Sequence, residues 1–405
     1  MTIGVSGPID LKLLEWDVNS NDLPTTNAFP LTSHFINGLL RRGFKVIGYT
    51  SSGEIDEPRV ISSGNLTICI SRHKPQPGRR FFKFEVEDLR KTIEANPADV
   101  ICALWSYEYA WAPLKTKIPT IVHLHDVAFQ ILLKIPDMFR LVRWMINYIV
   151  VHKATHLVAN SVYTFNQLGR RTRKKTRVID NFYPYNLKQR LSASAIKGNY
   201  IITVAQGFTK RKNIETAIHA FSILRKQYPE LEYYLVGVDS EKGGLAEQYA
   251  QAHNLTDGIR FIGPLPYGEV FELIQKAQLL LHPSREESFG MVLLEAMVAQ
   301  TPVVGGKKSG YIPHLLDYGK AGLLCDVESP ESIAAEVSKV LSNETLYKEL
   351  VREGYKFAEG NFSEDVIINK HLAYLSEVMG KPIVPLTKSA SSSERRNLIS
   401  NSLQT

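Results

Sequence analysis

The stretch from Ala277 to Val304 constrains the fold more than any other part of the chain. Ala277 to His282 (AQLLLH) is a short, continuous apolar run with the length and bounds of a buried parallel strand. Two acidic residues, Glu286 and Glu287, follow, then Phe289-Gly290, then a helix-forming segment with Leu293, Leu294, Ala296 and Met297. Thr301-Pro302 ends that segment, and Val303-Val304 begins another strand. A loop at the carboxyl end of a parallel strand, opening into a helix, is where doubly wound α/β folds bind ligands. The unpaired N–H groups and positive dipole end of the helix suit a phosphate, and Gly290 lets the backbone approach an anion closely. Glu287 and Glu295 lie just over two helical turns apart, so they do not touch, yet both can point toward the strand ends. The residues describe a pocket for a phosphorylated ligand that carries hydroxyl groups. A strand–loop–helix unit with two solvated glutamates is the alternative.

The run Glu287 to Glu295 (ESFGMVLLE), inside EESFGMVLLEAM and followed by TPVV, resembles the E-x7-E signature of retaining, nucleotide-sugar-dependent glycosyltransferases of family 4. The resemblance implies the GT-B fold, an α/β architecture of two doubly wound, Rossmann-like domains facing across a cleft. It implies that Glu287 holds sugar hydroxyls near the anomeric carbon and that Glu295 accepts hydrogen bonds from ribose hydroxyls. The backbone of Ser288, Phe289, Gly290 and Met291 would meet the diphosphate.

Length and composition agree with such a fold. At 405 residues the chain is too long for one ordinary core, and 44% hydrophobic with 22% charged residues is the composition of a globular protein. No apolar run reaches the roughly eighteen residues of a membrane span. The first residues, MTIGVSGPIDLKLLEW, lack the basic and apolar regions of a secretory signal. A cytoplasmic protein, with access to nucleotide sugars, is expected. Cys69, Cys102 and Cys325 are scattered without metal-ligand spacing and fit a reducing compartment. The formal charge of +7 favours anionic partners without choosing among phosphates, acidic lipids and nucleic acid.

The first half alternates strands and helices. Met1 to Ser6, Lys45 to Thr50, Leu66 to Ser71, Asp99 to Leu104 and Pro119 to Leu124 read as strands. A helix before Arg41-Arg42-Gly43 and another over Phe84 to Ala95 lie between them. The last of these strands ends at His125-Asp126, a polar pair where chemistry is well placed. By the family resemblance His125 contacts the sugar or acceptor, and Asp126 orients its imidazole; His123 alternates with it along the strand. The resemblance loosens before the first helix, where Asn27-Ala28 stands in place of a Gly-Gly. Met138 to His152 is apolar with Arg140, Arg143 and Trp144 interspersed, either a core helix or one lying on a bilayer surface with basic heads at phosphates. Arg170 to Arg177 (RRTRKKTR) is the densest basic run, either a solvated loop or a binding site for acidic head groups or an anionic acceptor; no nucleic-acid motif accompanies it.

Asn181 to Pro184 closes a first domain over 1–185, and the polar segment Asn186 to Lys197 reads as a hinge. A second α/β domain runs over 186–363, opening with the strand Tyr200 to Ala205. The loop from Gln206 to Asn213, with Gly207, Arg211 and Lys212, precedes a helix and can hold a diphosphate. It is similar to the family's loop, with Lys212 matching the lysine; Gln206-Gly207 replaces the usual arginine there, so Arg211 is the substitute from the other end. By the family resemblance Leu265, after the strand Ile259 to Gly263, is the candidate contact for the nucleotide base. Gly305-Gly306 begins a glycine-rich turn, and Gly319 to Asp326 reads as a hairpin-like return. A capped helix starts at Ser329-Pro330, the resemblance to GT-B enzymes implies that the final helix (364–386) crosses back to the first domain, and the tail 387–405 is expected to be disordered.

The expected activity is transfer of a hexose-type sugar from a nucleotide diphosphate donor to a hydroxyl acceptor with retention of configuration. No cofactor and no metal are called for beyond the nucleotide sugar. A lipid-linked acceptor and an anionic membrane surface are the expected partners. The alternatives are another GT-B chemistry, such as nucleotide-sugar epimerisation or phosphorolysis, and a non-catalytic protein that presents its basic run to nucleic acid or membrane.

Overall fold

The computed structural model describes residues 1–191 and 196–385. The tail 387–405, expected to be disordered, lies outside the described residues. Two compact units emerge, each around its own sheet.

The first unit comprises Met1–Val158, Arg170–Arg177 and the residues from Ile368 on. Its eight-stranded sheet is built from β1 (Thr2–Ser6), β2 (Lys45–Ser52), β3 (Arg59–Ser63), β4 (Leu66–Arg72), β5 (Val100–Ala103), β6 (Thr120–Leu124), β7 (His156–Ala159) and β8 (Thr176–Val178). The order is β3-β4-β2-β1-β5-β6-β7-β8. The run from β4 through β6 is parallel, and its apolar residues are buried on both faces, as helix-covered parallel strands require. β3 is absent from the sequence reading. Its RVISS run is polar and largely exposed because it is an antiparallel edge hairpin on β4.

Helix Met138–Lys153 is capped by Asp137, whose side chain accepts from the Arg140 amide at 2.8 Å. Val142, Ile146, Val150 and Val151 face the core. The arginines expected at lipid phosphates have partners within the protein, Arg140 at the surface and Arg143 largely buried. Arg140 pairs with Asp137, and the Arg143 guanidinium lies 3.5 Å over the Tyr107 ring and 3.3 Å from the buried Glu108 carboxylate. A buried carboxylate calls for a cation, and Arg143 supplies one. The other face of the helix exposes Met138, Phe139, Met145 and Tyr148, while Trp144 packs between Phe129 (5.9 Å) and Tyr148 (6.2 Å). The basic run is not a plain loop: it forms a short helix, Arg170–Arg173, and then enters β8. Lys175 Nζ donates to the carbonyls of Ala154 (2.5 Å) and His152 (3.2 Å) at the carboxyl end of helix Met138–Lys153, and Arg177 pairs with Glu377 at 2.6 Å.

The second unit comprises Ala159–Gly169 and Val178–Ile367. Its six-stranded sheet is parallel throughout, with β9 (Tyr200–Val204), β10 (Glu232–Val236), β11 (Ile259–Gly263), β12 (Leu279–His282), β13 (Val303–Gly306) and β14 (Leu323–Cys325) in the order β11-β10-β9-β12-β13-β14. The reversal of order at β9/β12 is the switch point where doubly wound sheets bind ligands. Gly319 to Asp326 is no hairpin: it feeds β14, parallel to β13, after the short helix Ile312–Leu315 supplies the crossover.

Residues 159–169 and 178–185, expected in the first domain, fall in the second unit. Ser161 Oγ donates to the Ser288 carbonyl (2.6 Å), Tyr311 OH bonds Asp180 (2.5 Å), and Tyr183 bridges to Ser363. The described part of the expected hinge is anchored as well: Leu187 is fully buried, and Lys197 Nζ donates to the Gln275 carbonyl at 2.8 Å. Ser329 caps helix Pro330–Ser342 as expected, accepting from the Ser332 amide at 3.1 Å. Helix Glu344–Phe362, unforeseen, is capped by Asn343 and is followed by Glu364–Met379, whose residues from Ile368 count with the first unit. The three cysteines are buried and free, with burial pushing each thiol up to about 12. Among the described residues no helix is long and apolar enough to cross a membrane, and no group of three or more His, Cys, Asp or Glu is placed to hold a metal ion.

Candidate active site

The second unit gathers its functional side chains at the carboxyl ends of β9 and β12. β12 ends at the buried His282, and the chain turns through Pro283 to Gly290 before helix Met291–Val298 begins. Gly290 sits at φ +98°, and a Cβ there would lie 2.8 Å from Ile312 Cδ1 and 3.0 Å from Leu293 Cδ1. Glycine is therefore required by conformation and packing together, beyond any approach to an anion. Phe289, 2% exposed, stacks on Tyr311 at 5.2 Å and meets Phe362 edge-on at 5.7 Å. Its side chain anchors the turn in the core and leaves only its backbone for a ligand. The Ser288 carbonyl is taken by Ser161, and Met291 packs half-buried against the core.

The turn 306–311 grips the same loop from the other side. The Tyr311 amide donates to the Glu287 carbonyl at 3.0 Å, and Gly310 makes this possible: at φ +63°, a Cβ would fall 2.2 Å from that carbonyl oxygen. The glycine-rich turn thus positions the backbone of Glu287.

The Glu287 side chain is 13% exposed and its Oε1 collects three nitrogens. Lys212 Nζ lies at 2.5 Å, His282 Nε2 at 3.4 Å and Arg211 NH1 at 3.6 Å. Burial works to raise the carboxyl, but the contacts with His282 and Lys212 overcome it and hold Glu287 well below the usual carboxylate range. Lys212, the basic residue matched in sequence, is 11% exposed and committed to Glu287. Arg211 is 46% exposed, and its NH1 also donates to the Glu286 carbonyl at 3.3 Å. Asn213, at φ +55°, fixes this loop by donating to the carbonyls of Val327 (2.7 Å) and Pro283 (3.1 Å). Gly207 precedes Phe208, whose amide donates to Asp239 Oδ2 at 3.0 Å.

Glu295 sits within helix Met291–Val298 and accepts from Tyr267 OH at 3.1 Å. Burial pushes its carboxyl up to about 7, with the Tyr267 hydrogen bond opposing. Leu265 is half-buried against the core of the second unit. Sequence reasoning missed Asp239, Tyr267 and His282. His282 is visible as the polar end of an apolar strand, whereas Asp239 lies after β10 and Tyr267 opens the helix Tyr267–Lys276, and neither carries a local signal.

His125 belongs to the first unit, just beyond β6. Its ring meets Phe29 edge-on at 5.3 Å and stacks at 6.3 Å on the buried His123, which itself stacks on His371 at 4.9 Å. Asp126, expected to orient the imidazole, instead accepts from Tyr107 OH at 2.9 Å, a partner supplied by the loop after β5.

Glycosyltransferase family models match both halves of the sequence. The model for glycosyl transferases group 1 matches residues 188–357, and the model for Glycosyltransferase Family 4 matches residues 31–185. N-acetyl-alpha-D-glucosaminyl L-malate synthase of Bacillus anthracis is 24% identical over 271 residues, 65% of this chain and 69% of that protein. D-inositol 3-phosphate glycosyltransferase of Corynebacterium urealyticum is 28% identical over 176 residues, 41% of each. Sucrose-phosphate synthase of Thermosynechococcus elongatus superposes with a TM-score of 0.71 at 19% identity, over 94% of this chain and 99% of that one. Anabaena HepE, solved in complex with UDP and glucose, superposes with 0.68 at 18% identity, over 93% and 100%. With one glycosyltransferase model on each half of the sequence and two parallel-sheet α/β units in the structure, the chain belongs to the group 1, family 4 glycosyltransferases of GT-B fold and is an enzyme of that family.

Proposed function

We propose that the protein transfers a hexose-type sugar from a nucleotide diphosphate donor to an acceptor hydroxyl with retention of anomeric configuration. The observation that carries this reading is the Lys212–Glu287 pair beside the amino end of helix Met291–Val298. Lys212, joined by Arg211, neutralises the leaving diphosphate, and the N–H groups around Phe289 and Gly290 add to that stabilisation without a metal. Glu287, released from Lys212, accepts sugar hydroxyls near the anomeric carbon. Glu295 accepts the ribose hydroxyls, and Leu265 lies against the base. His125 is the candidate contact for the sugar or acceptor. Relatives named as acting on L-malate and inositol phosphate support a hydroxyl acceptor, and the neighbour solved with UDP and glucose supports a uridine nucleotide donor. The test is a panel of nucleotide sugars, with and without candidate acceptors, and the anomer of any product read by NMR. Product with inverted configuration, or no turnover of any donor, contradicts the reading.

The same reading includes reversible attachment to an anionic membrane, on a different basis from the sequence expectation. Arg140 and Arg143 are internally paired, but Phe129, Leu133, Ile135, Met138, Phe139, Met145 and Tyr148 are exposed within one short segment. Phe139 packs beside the Pro77–Arg80 turn, where Arg79, Arg80, Phe81 and Lys83 are also exposed. Apolar side chains rimmed by cations suit an acidic bilayer interface. Sedimentation with phosphatidylglycerol vesicles should bind the protein at low salt, and Met138→Glu with Phe139→Glu should abolish binding. Indifference to acidic vesicles refutes attachment and favours a soluble acceptor.

A further inference from the structure

We infer that His282 is a positioning residue that takes over the Glu287 carboxylate when Lys212 turns to the donor's diphosphate. The inference rests on the reading that Lys212 binds that diphosphate. One oxygen of Glu287 is shared by Lys212, Arg211 and His282. The same reading gives Lys212 and Arg211 to the phosphates, so a bound donor removes two of the three. A carboxylate as buried as Glu287 cannot lose its partners without cost, because an unpaired buried charge reprotonates or moves.

His282 is the partner that stays. It is the last residue of β12, in register with Gly305 on β13, and its side chain is 3% exposed. It cannot swing to a ligand as a long lysine can. Its Nε2 lies 3.4 Å from Glu287 Oε1, yet it makes no well-aligned hydrogen bond while Lys212 occupies that oxygen. A small movement of Glu287 toward the strand, permitted once Lys212 departs, would close that contact. The charged groups acting on His282 are Glu287, Lys212 and Arg211; burial first, and the two cations after it, keep the imidazole less basic than usual against the pull of Glu287. A neutral imidazole with its proton on Nε2 donates to the carboxylate and adds no charge to the site.

The exchange is tested with inorganic pyrophosphate as a donor-independent diphosphate. The protein is labelled with carbon-13 at glutamate side-chain carboxyls, the Glu287 signal is assigned by its loss in Glu287→Gln, and its titration is followed with and without pyrophosphate. In the wild type Glu287 should stay below the usual carboxylate range in both states. In His282→Leu, and in the shorter, polar His282→Asn, the apparent pKa should rise by about one or more on adding pyrophosphate. Without pyrophosphate the variants should show a smaller rise over the wild type, because Lys212 still holds the carboxylate. His282→Gln, which returns a donor near the Nε2 position, should restore the wild-type titration. A titration in the folded Leu or Asn variant that matches the wild type with pyrophosphate bound overturns the role of His282 alone. Failure of pyrophosphate to bind the wild type overturns the exchange and, with it, the assignment of Lys212 to the diphosphate.

Discussion

Replacing Glu295 with glutamine should stabilise the free protein at alkaline pH while weakening donor binding. Burial lifts the Glu295 carboxyl to about 7 from an ordinary 4.5. Below about pH 4.5 the group is protonated in both folded and unfolded chains and contributes nothing. As pH rises, the unfolded chain ionises first, so the folded state loses stability until the folded carboxyl has ionised as well, above about pH 7. A pKa difference of about 2.5, at about 1.4 kcal/mol for each unit, amounts to about 3 kcal/mol. Glutamine carries no such penalty and can still accept from Tyr267 OH. For a unit of this size the gain corresponds to a rise of about 6–12 °C in the melting point of the second unit. Thermal unfolding of wild type and Glu295→Gln at about pH 4 and about pH 8 checks this: the curves should nearly coincide at the acidic end and separate at the alkaline end. Nucleotide binding should recover part of the deficit in the wild type and not in the variant. A difference independent of pH, or a variant less stable than wild type at about pH 8, refutes the argument that this carboxylate is strained for ligand binding.

Gly310→Ala should destabilise the second unit by about 2 kcal/mol or more, since the new Cβ meets the Glu287 carbonyl at a positive φ; denaturant unfolding measures it, and nucleotide affinity should fall with it. Lys175→Ala should cost about 1 kcal/mol through the uncapped carbonyls of helix Met138–Lys153, read by thermal unfolding, with binding to acidic vesicles retained. Glu287→Gln should lower turnover about 100-fold or more while leaving nucleoside diphosphate affinity within a few-fold, as steady-state kinetics and calorimetry will show.

The second unit was more legible in the sequence than the first, for identifiable reasons. Ala277 to Val304 announces itself because strand, turn and helix follow without insertion, and Gly290 and Phe289 each answer a local demand of that turn. Lys212 is likewise marked by its place before helix Ile214–Gln227. What local patterns do not carry is the partner. His282 reaches Glu287 across a turn, Tyr267 reaches Glu295 from another loop, and Tyr107 rather than His125 engages Asp126. Arg143 shows the same limit: its spacing on an apolar helix fits a membrane face, yet the stacked Tyr107 ring and the buried Glu108 decide its direction. The edge strand β3 and the parallel β14 escaped because polar composition and a short glycine-flanked run resemble loop and hairpin until their neighbours are known.

The central claim is that Lys212 leaves Glu287 to hold a nucleotide's diphosphate. Calorimetric titration of UDP and GDP into wild type and Lys212→Ala tests it most directly. Wild type should bind at least one of the two, and the variant should bind it at least about 10-fold more weakly, the effect of losing one charge-assisted phosphate contact. Equal affinity in the two proteins would contradict it.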